Sequence, residues 1–421
     1  MKYNRNVYYG NIAFSYVIDE KFKTNSLIVR FITEMDSSKA AENAVGIGIL
    51  SDSCKKYNTL ALLNEKLSYL YGASLSSSAK KRGDVQVLSL SSSWINNRYA
   101  IDGEDITEEM LDILCGCLFE PNADGGKFND DAFKITKKDL LDRIDAEINN
   151  KRGYAVSRAA SIAFKGEPAE SSCYGSRENA EKVTSETAFN AYQELMKTAQ
   201  VEIFYIAPEE NENVEKRLIK EFSMLDRVPI CCVFNSPSPV KAVPERVSEE
   251  FEVNQSKMVL TFKTDSDDRY ALKILSMIYG ETPVSKLFMN VREKMSLCYY
   301  CASRTVFSKG ALMVDCGVEK SNIEKAEAEI IHQLDEIRNG VFSFEEIENV
   351  LMSLDNAVNA VGDTPSSYSA WYFERLCEGE ILEPKQILEL YKSVTRERII
   401  NAAKSLKLDS VYLMLNKEVQ E

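Results

Sequence analysis

The stretch Val183-Thr-Ser-Glu-Thr-Ala-Phe-Asn-Ala-Tyr-Gln-Glu-Leu195 recurs 211 residues later as Val394-Thr-Arg-Glu-Arg-Ile-Ile-Asn-Ala-Ala-Lys-Ser-Leu406. Six positions (Val, Thr, Glu, Asn, Ala and Leu) agree between the two copies. Each copy starts with a threonine before a glutamate-bearing apolar pattern, which is typical of a helix N-cap. Each copy then runs into a strand pattern, at residues 201–207 and 410–415. A match of this length predicts that the chain consists of two related halves.

Two further matches support this duplication. Residues 27–33 (Leu-Ile-Val-Arg-Phe-Ile-Thr) resemble residues 258–264 (Met-Val-Leu-Thr-Phe-Lys-Thr). Residues 65–71 begin Glu-Lys-Leu-Ser and end in Tyr, and residues 293–299 begin Glu-Lys-Met-Ser and end in Tyr. Because the three matches occur in the same order in both halves, duplication explains them better than chance.

The boundary between the halves is predicted from composition. Residues 229–248 contain four prolines and few periodic apolar positions, which is typical of a linker. The first half is therefore predicted to span residues 1–228 and the second half residues 249–421.

Each half is predicted to be α+β, because strand patterns alternate with helical patterns and some strands follow one another closely, as at 86–93 and 96–101. The predicted helices are 57–71, 106–119, 131–148, 185–197, 268–279, 323–338, 344–360 and 385–405. Strands with helices on one face form an α/β sandwich. Two homologous sandwich halves joined by a linker are predicted to enclose a cavity, since clefts between domains are favoured ligand sites.

Composition excludes several classes of function. The chain has 421 residues and a formal net charge of -14, which argues against nucleic acid because phosphates would be repelled. The start of the chain, Met1–Asn6, is not followed by the apolar run of a signal peptide. No stretch approaches the roughly 20 apolar residues of a membrane span. We therefore expect a cytoplasmic protein that does not bind membranes.

The ten cysteines are scattered along the chain and predict reduced thiols without a disulfide framework. The Cys298-Tyr-Tyr-Cys301 pair has the spacing of a redox or metal motif, but it lies in a strand-like run. Positions three apart in a regular strand point to opposite faces, so the sequence predicts two buried thiols there. Two other close cysteine pairs, at 115 and 117 and at 231 and 232, are expected to be packing residues.

The single histidine, His332, excludes a self-sufficient zinc hydrolase, because no other cluster supplies the ligands of such a site. His332 lies in a glutamate-rich helical pattern, where a lone histidine is usually a surface or half-buried residue. An autonomous zinc-independent hydrolase is also disfavoured, since a serine or cysteine nucleophile usually needs a histidine base.

The run Gly280-Glu-Thr-Pro-Val-Ser-Lys-Leu-Phe-Met-Asn-Val-Arg-Glu-Lys-Met-Ser-Leu-Cys-Tyr-Tyr300 resembles the second-half signature of the insulinase/pitrilysin (mitochondrial-processing-peptidase-like) family of zinc peptidases. Ser296 stands where that family usually has glycine. The resemblance implies that Arg292 and Tyr299 bind the substrate backbone and stabilise the oxyanion in a supporting catalytic role. The bland alternative is a solvated Arg292 and a core Tyr299.

The family's zinc motif, H-x-x-E-H, is degenerate here. The segment Cys54-Lys-Lys-Tyr57 resembles the family's Gly-Thr-Lys-Lys-Tyr, and counting back from it places Ala44, Ile47 and Gly48 at the His, Glu and His positions. None of the three carries a metal-binding or proton-transferring group. The family's later glutamate falls near residues 142–143. The resemblance therefore implies that this chain binds no cofactor and that zinc is held by a partner subunit.

The sequence most resembles the zinc-less bacterial subfamily associated with elongation factor P modification. That resemblance implies a non-catalytic subunit of a heterodimeric zinc peptidase, inactive alone, whose partner is a zinc-bearing homologous subunit and whose substrate is an unfolded peptide. The alternative is a catalytically inactive peptide-binding or scaffolding protein of the same fold. A homodimer in purified samples is compatible with both hypotheses.

Overall fold

A computed structural model describes residues 1–417. The strands are β1 (Lys2–Tyr8), β2 (Ile12–Ile18), β3 (Thr24–Glu34), β4 (Ser74–Arg82), β5 (Val85–Ile95), β6 (Ala123–Asp124), β7 (Lys127–Phe128), β8 (Gln200–Ala207), β9 (Glu245–Phe251), β10 (Ser256–Lys263), β11 (Cys298–Val306), β12 (Ala311–Val318) and β13 (Lys407–Asn416). The α-helices are α1 (Ala40–Leu50), α2 (Leu60–Tyr69), α3 (Ile106–Phe119), α4 (Asp130–Ala146), α5 (Lys151–Ala163), α6 (Arg177–Lys182), α7 (Ser185–Thr198), α8 (Glu212–Ser223), α9 (Arg269–Ser276), α10 (Ile323–Arg338), α11 (Phe344–Ala360), α12 (Pro365–Cys377), α13 (Pro384–Lys392) and α14 (Arg396–Ser405). Two π-helical segments, Met277–Glu281 and Leu287–Lys294, follow α9.

The chain forms two compact units that are not contiguous in sequence. Unit 1 comprises Met1–Asp145, Ser171–Val233 and Gly362–Glu374. Unit 2 comprises Ala146–Glu170, Phe234–Val361 and the residues from Arg375 on. The division into halves at 1–228 and 249–421 remains a prediction from the sequence. The last four residues of the second half, 418–421, lie outside the described part of the chain. Within the predicted linker, β9 begins at Glu245 and pairs with β13.

Unit 1 is built on a mixed sheet with the strand order β1-β2-β8-β3-β5-β4. β2 pairs with β8 in parallel, and the other neighbours are antiparallel. One face carries buried side chains such as Leu27, Val29 and Phe31, which form a single core with helices α1, α3, α7 and α8. The sheet therefore has one thick apolar face, as an α/β layer requires.

Unit 2 is built on a sheet with the order β11-β12-β10-β13-β9. Its order and strand directions repeat those of β4-β5-β3-β8-β2 in unit 1, including one parallel pair, β13 with β9. Helix α5 packs Ala155, Ala159 and Ile162 against one face of this sheet, where they meet Val259 and Tyr412. The two sheets thus share a topology, while the duplication of the sequence remains a prediction.

Residues 362–374, which carry most of α12, lie against the opposite face of the unit 1 sheet. The Arg30 guanidinium lies over the rings of Phe204 and Phe373, at 4.9 and 4.5 Å from their centroids, and it donates to the Ser369 hydroxyl at 2.6 Å. The two units have thus exchanged sequence segments: 146–170 belongs to unit 2 and 362–374 belongs to unit 1.

Two sequence-based element predictions are wrong. Residues 96–101 contain no strand, because the Asn96 side chain accepts a hydrogen bond from the Arg98 amide and caps a short 3-10 turn. The predicted helix 385–405 is two helices, α13 and α14, since Thr395 adopts an extended backbone and caps the second one.

The prediction that Cys298 and Cys301 point to opposite faces is also wrong. The register between β11 and β12 shifts between Cys298 and Tyr300, so Tyr299 is an extra residue in the ladder. A bulge of this kind interrupts the alternation of a regular strand. Cys298 and Cys301 consequently share a face, and Cys298 is only half-buried.

Within residues 1–417, no helix is both long and apolar enough to cross a bilayer.

Candidate functional site

A cavity of about 240 Å³ lies in unit 1 at the degenerate zinc positions. It is bordered by α1, by the edge strand β4 and by α4. The lining residues are Ala44, Ile47, Gly48, Ser51, Asp52, Leu75, Ser76, Ser77, Ser78, Ala79, Thr136, Asp139, Leu140, Arg143 and Tyr174. The structure therefore brings together all three predicted motif positions in one pocket.

These residues do not fit a zinc ion. Ile47 belongs to the apolar core and is 1% exposed, and Ala44 packs against the same core. Zinc sites take cysteine sulfur, histidine nitrogen or carboxylate oxygen as ligands. No group of three such side chains that could hold a metal ion occurs among residues 1–417.

Gly48 is closed to a second zinc ligand for a steric reason as well. A Cβ atom at this position would lie 2.6 Å from Cγ2 of Thr136 on α4. Carbon atoms pack at about 3.5–4.0 Å, so any side chain at residue 48 displaces Thr136. The cavity wall is thus built around a glycine.

A polar network of hydroxyl and carboxyl groups lies in the cavity wall. Thr136 Oγ1 donates to Asp52 Oδ2 at 3.0 Å, and Ser51 Oγ lies 3.1 Å from the Ser77 hydroxyl on β4. Burial raises the pKa of the Asp52 carboxyl above its ordinary value, although the Thr136 hydrogen bond opposes that shift. The network ties α1, β4 and α4 together through hydroxyl and carboxyl groups.

The two residues near the predicted position of the family's later glutamate point in different directions. Arg143 lines the cavity, whereas Asp142 faces away and pairs with Lys138 at 3.2 Å on the exposed side of α4. The one of these two residues that lines the cavity is therefore a cation, which is not a zinc ligand.

Arg292 lies in unit 2, in the π-helical segment Leu287–Lys294. The segment is anchored by the buried side chains of Leu287 and Val291. The Arg292 guanidinium lies over the Phe288 ring at 4.5 Å, and its side chain remains 42% exposed. Its ion pair with Glu293 is long, at 3.4 Å, so most of its donors remain available.

Tyr299 occupies the bulge at the start of β11, an edge strand of the unit 2 sheet. It is 70% exposed and therefore is not a core aromatic residue. The Leu287–Lys294 segment packs against β11. Arg292 and Tyr299 thus lie on adjoining elements, and Arg292 acts electrostatically on the thiol of Cys298, the residue before Tyr299.

His332 is exposed on α10 in unit 2 and borders a shallow pocket together with Lys286, Asn290 and Glu329. His332 is not among the residues that line the cavity in unit 1.

Sequence reasoning missed Asp52, Ser77 and Thr136, since single hydroxyl and carboxyl groups resemble ordinary surface positions. A usable signal was the pair of glycines inside α1, because a glycine in a helix interior indicates close packing. A Cβ atom on Gly46 would lie 2.9 Å from the Ala188 carbonyl, and Gly48 faces Thr136.

Comparison with known proteins shows that the chain is similar to inactive members of the peptidase M16 family. The model of the peptidase M16 inactive domain matches residues 182–354. A "probable inactive metalloprotease", YmfF of Bacillus subtilis (strain 168), is 28% identical over 414 residues, which cover 97% of each chain. These matches agree with the insulinase/pitrilysin resemblance of the sequence.

Two solved structures have the same fold over their whole length. A conserved protein from Enterococcus faecalis V583 matches with a TM-score of 0.90 and 25% identity, and both chains are covered completely. A peptidase M16 inactive domain from Pseudomonas fluorescens matches with a TM-score of 0.81 and 15% identity, again over 100% of both chains. The mixed helix-and-sheet fold predicted from the sequence agrees with both.

Proposed function

We propose that this chain is the zinc-less subunit of a two-subunit peptidase and that it contributes Arg292 and Tyr299 to peptide held near a zinc-bearing homologous partner. The observation that carries the proposal is a contrast between two places in the chain. The zinc-motif positions hold a buried Ile47 and a Gly48 at which an added Cβ atom would clash with Thr136. Arg292 and Tyr299 stay exposed on anchored elements.

The setting of Arg292 suits a group that stabilises developing negative charge. The buried Leu287 and Val291 fix the backbone of its segment, and the Asn290 amide donates to Gln333 on α10 at 2.9 Å. A cation that is held in place needs little reorganisation when charge develops nearby. Such a group accelerates a reaction when it interacts more strongly with the transition state than with the substrate.

Tyr299 supplies a phenol donor from a bulged position. Bulges re-aim a side chain and are common beside active sites. An exposed tyrosine on an edge strand contributes nothing to the core, which favours a role in binding.

The proposed substrate is an unfolded peptide that adds as a strand to a sheet edge. Each unit offers such an edge: β11 in unit 2, which carries Tyr299, and β4 in unit 1, which borders the cavity. Main-chain hydrogen bonds at a sheet edge recognise extended peptides of varied sequence.

The test uses the full chain alone and mixed with a zinc-bearing homologue from the same host, with quenched-fluorescence unfolded peptides as substrate. Only the mixture is expected to cleave. Metal-dependent cleavage by this chain alone would refute the proposal.

Variants in the mixture then test the two residues. Arg292→Ala is expected to lower kcat by about 10²-fold or more, the scale for loss of one oxyanion donor, and Tyr299→Phe to lower it less. The matched control is Arg246→Ala, which removes an exposed arginine from the other edge strand of the same sheet. Unchanged turnover with Arg292→Ala would remove Arg292 from the site.

A second candidate function, a peptide-binding or scaffolding protein without hydrolysis, is favoured by the cavity itself. The cavity has a volume of about 240 Å³, and its lining includes three consecutive serines of the edge strand β4, Ser76, Ser77 and Ser78. Affinity purification from the native host distinguishes the two candidates. Co-purification of a zinc-bearing homologue supports the peptidase subunit, and capture of a peptide or protein without such a homologue supports the scaffold.

We also propose that the chain belongs to the subfamily associated with elongation factor P modification and that it is located in the cytoplasm. The same purification tests it, since elongation factor P or its modifying enzymes would then accompany the chain. Light scattering of the purified chain determines whether it forms a homodimer.

A further inference from the structure

Three cysteine thiols converge on one face of the β11–β12 ladder in unit 2. Cys301 stands directly opposite Cys316, and Cys298 stands opposite Val318, two residues along from Cys316. The bulge at Tyr299 turns Cys298 onto the face that carries Cys301. Cys301 and Cys316 are buried, whereas Cys298 is half-buried.

The cluster concentrates negative charge on its most accessible sulfur. Hydrogen bonds from Cys301 and Cys316 lower the pKa of the Cys298 thiol well below its ordinary value, and the nearby Arg292 charge acts in the same direction. Burial and the Cys298 contact raise the pKa of Cys301, and the contact with Cys298 also raises that of Cys316. Both effects favour a thiolate at Cys298 over a thiolate at either inner cysteine.

We propose that Cys298 is a peroxide-reactive thiolate and that one of the two buried cysteines resolves its oxidised form as a disulfide. Sensor cysteines share these properties: thiolate character, access to solvent and a neighbouring resolving thiol. The site takes a small hydroperoxide, which fits the half-buried entrance better than a bulky disulfide oxidant does.

The chemistry is balanced as follows. The Cys298 thiolate attacks one peroxide oxygen, the O–O bond breaks, and the products are a sulfenic acid and hydroxide. The thiol of Cys301 or Cys316 then attacks the Cys298 sulfur, an S–S bond forms, and water leaves with the former thiol proton. The two sulfurs lose two electrons in total, and the peroxide gains them.

Oxidation has a structural consequence at the bulge. A bond between Cys298 and Cys301 closes a ring that contains Tyr299. Cys298 lies on the same face three residues before Cys301 and diagonally from Cys316, while Cys301 and Cys316 are the direct cross-strand pair. An effect on peptide handling by Tyr299 rests on the proposed function, whereas the thiol chemistry does not.

The experiment treats the isolated full chain with hydrogen peroxide, blocks the remaining thiols with an alkylating agent and maps the peptides by mass spectrometry. The expected product links Cys298 to Cys301 or to Cys316, and it forms about tenfold faster than Cys231 is oxidised. Cys231 is the control for exposure, since it is exposed and lies outside the cluster.

The Cys54–Cys117 pair is the control for contact without access. Its hydrogen bond lowers the pKa of Cys54 to about 6, but both residues are buried. This pair is expected to stay reduced while the cluster reacts. Oxidation of Cys231 with the three clustered thiols still reduced would overturn the proposal, as would equal reaction of the cluster and the Cys54–Cys117 pair.

Two variants separate attack from resolution. Cys298→Ser is expected to abolish the disulfide within the cluster. A Cys301→Ala/Cys316→Ala variant is expected to accumulate a sulfenic acid at Cys298, which dimedone traps. Circular dichroism verifies that each variant is folded. If either variant does not fold, the disulfide map of the oxidised unmodified chain alone tests the proposal. No partner or peptide substrate is needed, so failure here is distinct from failure of the peptidase proposal.

Discussion

Replacing Gly48 by alanine tests whether the cavity wall is built against a side chain at this zinc-motif position. In an ordinary helix interior this substitution stabilises, because alanine has a helix propensity about 1 kcal/mol better than that of glycine. Here the new Cβ atom would lie 2.6 Å from Thr136 Cγ2. Overpacking in a well-packed region typically costs about 1–3 kcal/mol. Gly48→Ala is therefore expected to lower the free energy of unfolding by about 0–2 kcal/mol instead of raising it.

The matched background is Thr136→Ser, which removes only the methyl group responsible for the contact. The serine keeps the hydroxyl that donates to Asp52 at 3.0 Å. In that background Gly48→Ala is expected to stabilise by about 1 kcal/mol, since only helix propensity remains. The coupling between the two positions should then be about 1–3 kcal/mol, within the range measured for residues in contact.

The assay is urea denaturation of the four proteins in the cycle, followed by circular dichroism and by tryptophan fluorescence. Coincident transitions with the two probes are required before the midpoints are converted to free energies, because a chain with two units need not unfold in one step. If Gly48→Ala stabilises both backgrounds equally, the contact is absent and the steric argument against a second ligand fails.

Two more predictions concern unit 1. Burial raises the pKa of Asp52 above its ordinary value of 3.8, so the folded state favours the neutral acid. The stabilisation that comes from the neutral acid is complete below pH 3.8 and is lost as pH rises through the folded pKa. Asp52→Asn should therefore gain stability relative to the unmodified chain between about pH 4 and pH 7, measured by denaturation at both pH values, and a constant difference would contradict the assignment. Arg30→Ala should destabilise unit 1 by about 2–3 kcal/mol, because it removes two ring contacts and a hydrogen bond. Hydrogen exchange should accelerate in residues 362–374, with a smaller effect for Arg30→Lys and none for the surface control Arg177→Ala; unchanged protection would mean that the guanidinium does not hold this segment.

Local chemistry predicted many helices. Helices α3, α10 and α11 have the bounds that periodicity predicts. The repeated threonines also fulfil their predicted role, since Thr184 and Thr395 both cap a helix through their side chains. These features depend on residues within one turn of each other, which a sequence displays directly.

Features that depend on distant residues could not be predicted. The serine-rich strand β4 lacks apolar alternation because it lies at a sheet edge beside the cavity. Helix α5 is not adjacent in sequence to the sheet that it covers, so its pattern gave no indication of its unit. The register shift at Tyr299 belongs to the pairing of two strands, which no single strand reveals.

The candidate site was predicted unevenly. The positions of Ala44, Ile47 and Gly48 follow from the family resemblance, and the structure places them around one cavity. Asp52 and Thr136, which are hydrogen-bonded in the cavity wall, come from a loop and from α4, and only folding brings them together.

The exchange of segments between the units also has a consequence for synthesis of the chain. The first unit lacks residues 362–374 until the ribosome has added about 140 residues beyond Val233. At translation rates of about 5–20 residues per second, that interval is on the order of 10 s. During this time the sheet face that carries Arg30 and Phe204 lacks residues 362–374, which later pack against it. The nascent chain is therefore expected to expose this sheet face until residues 362–374 have been synthesised.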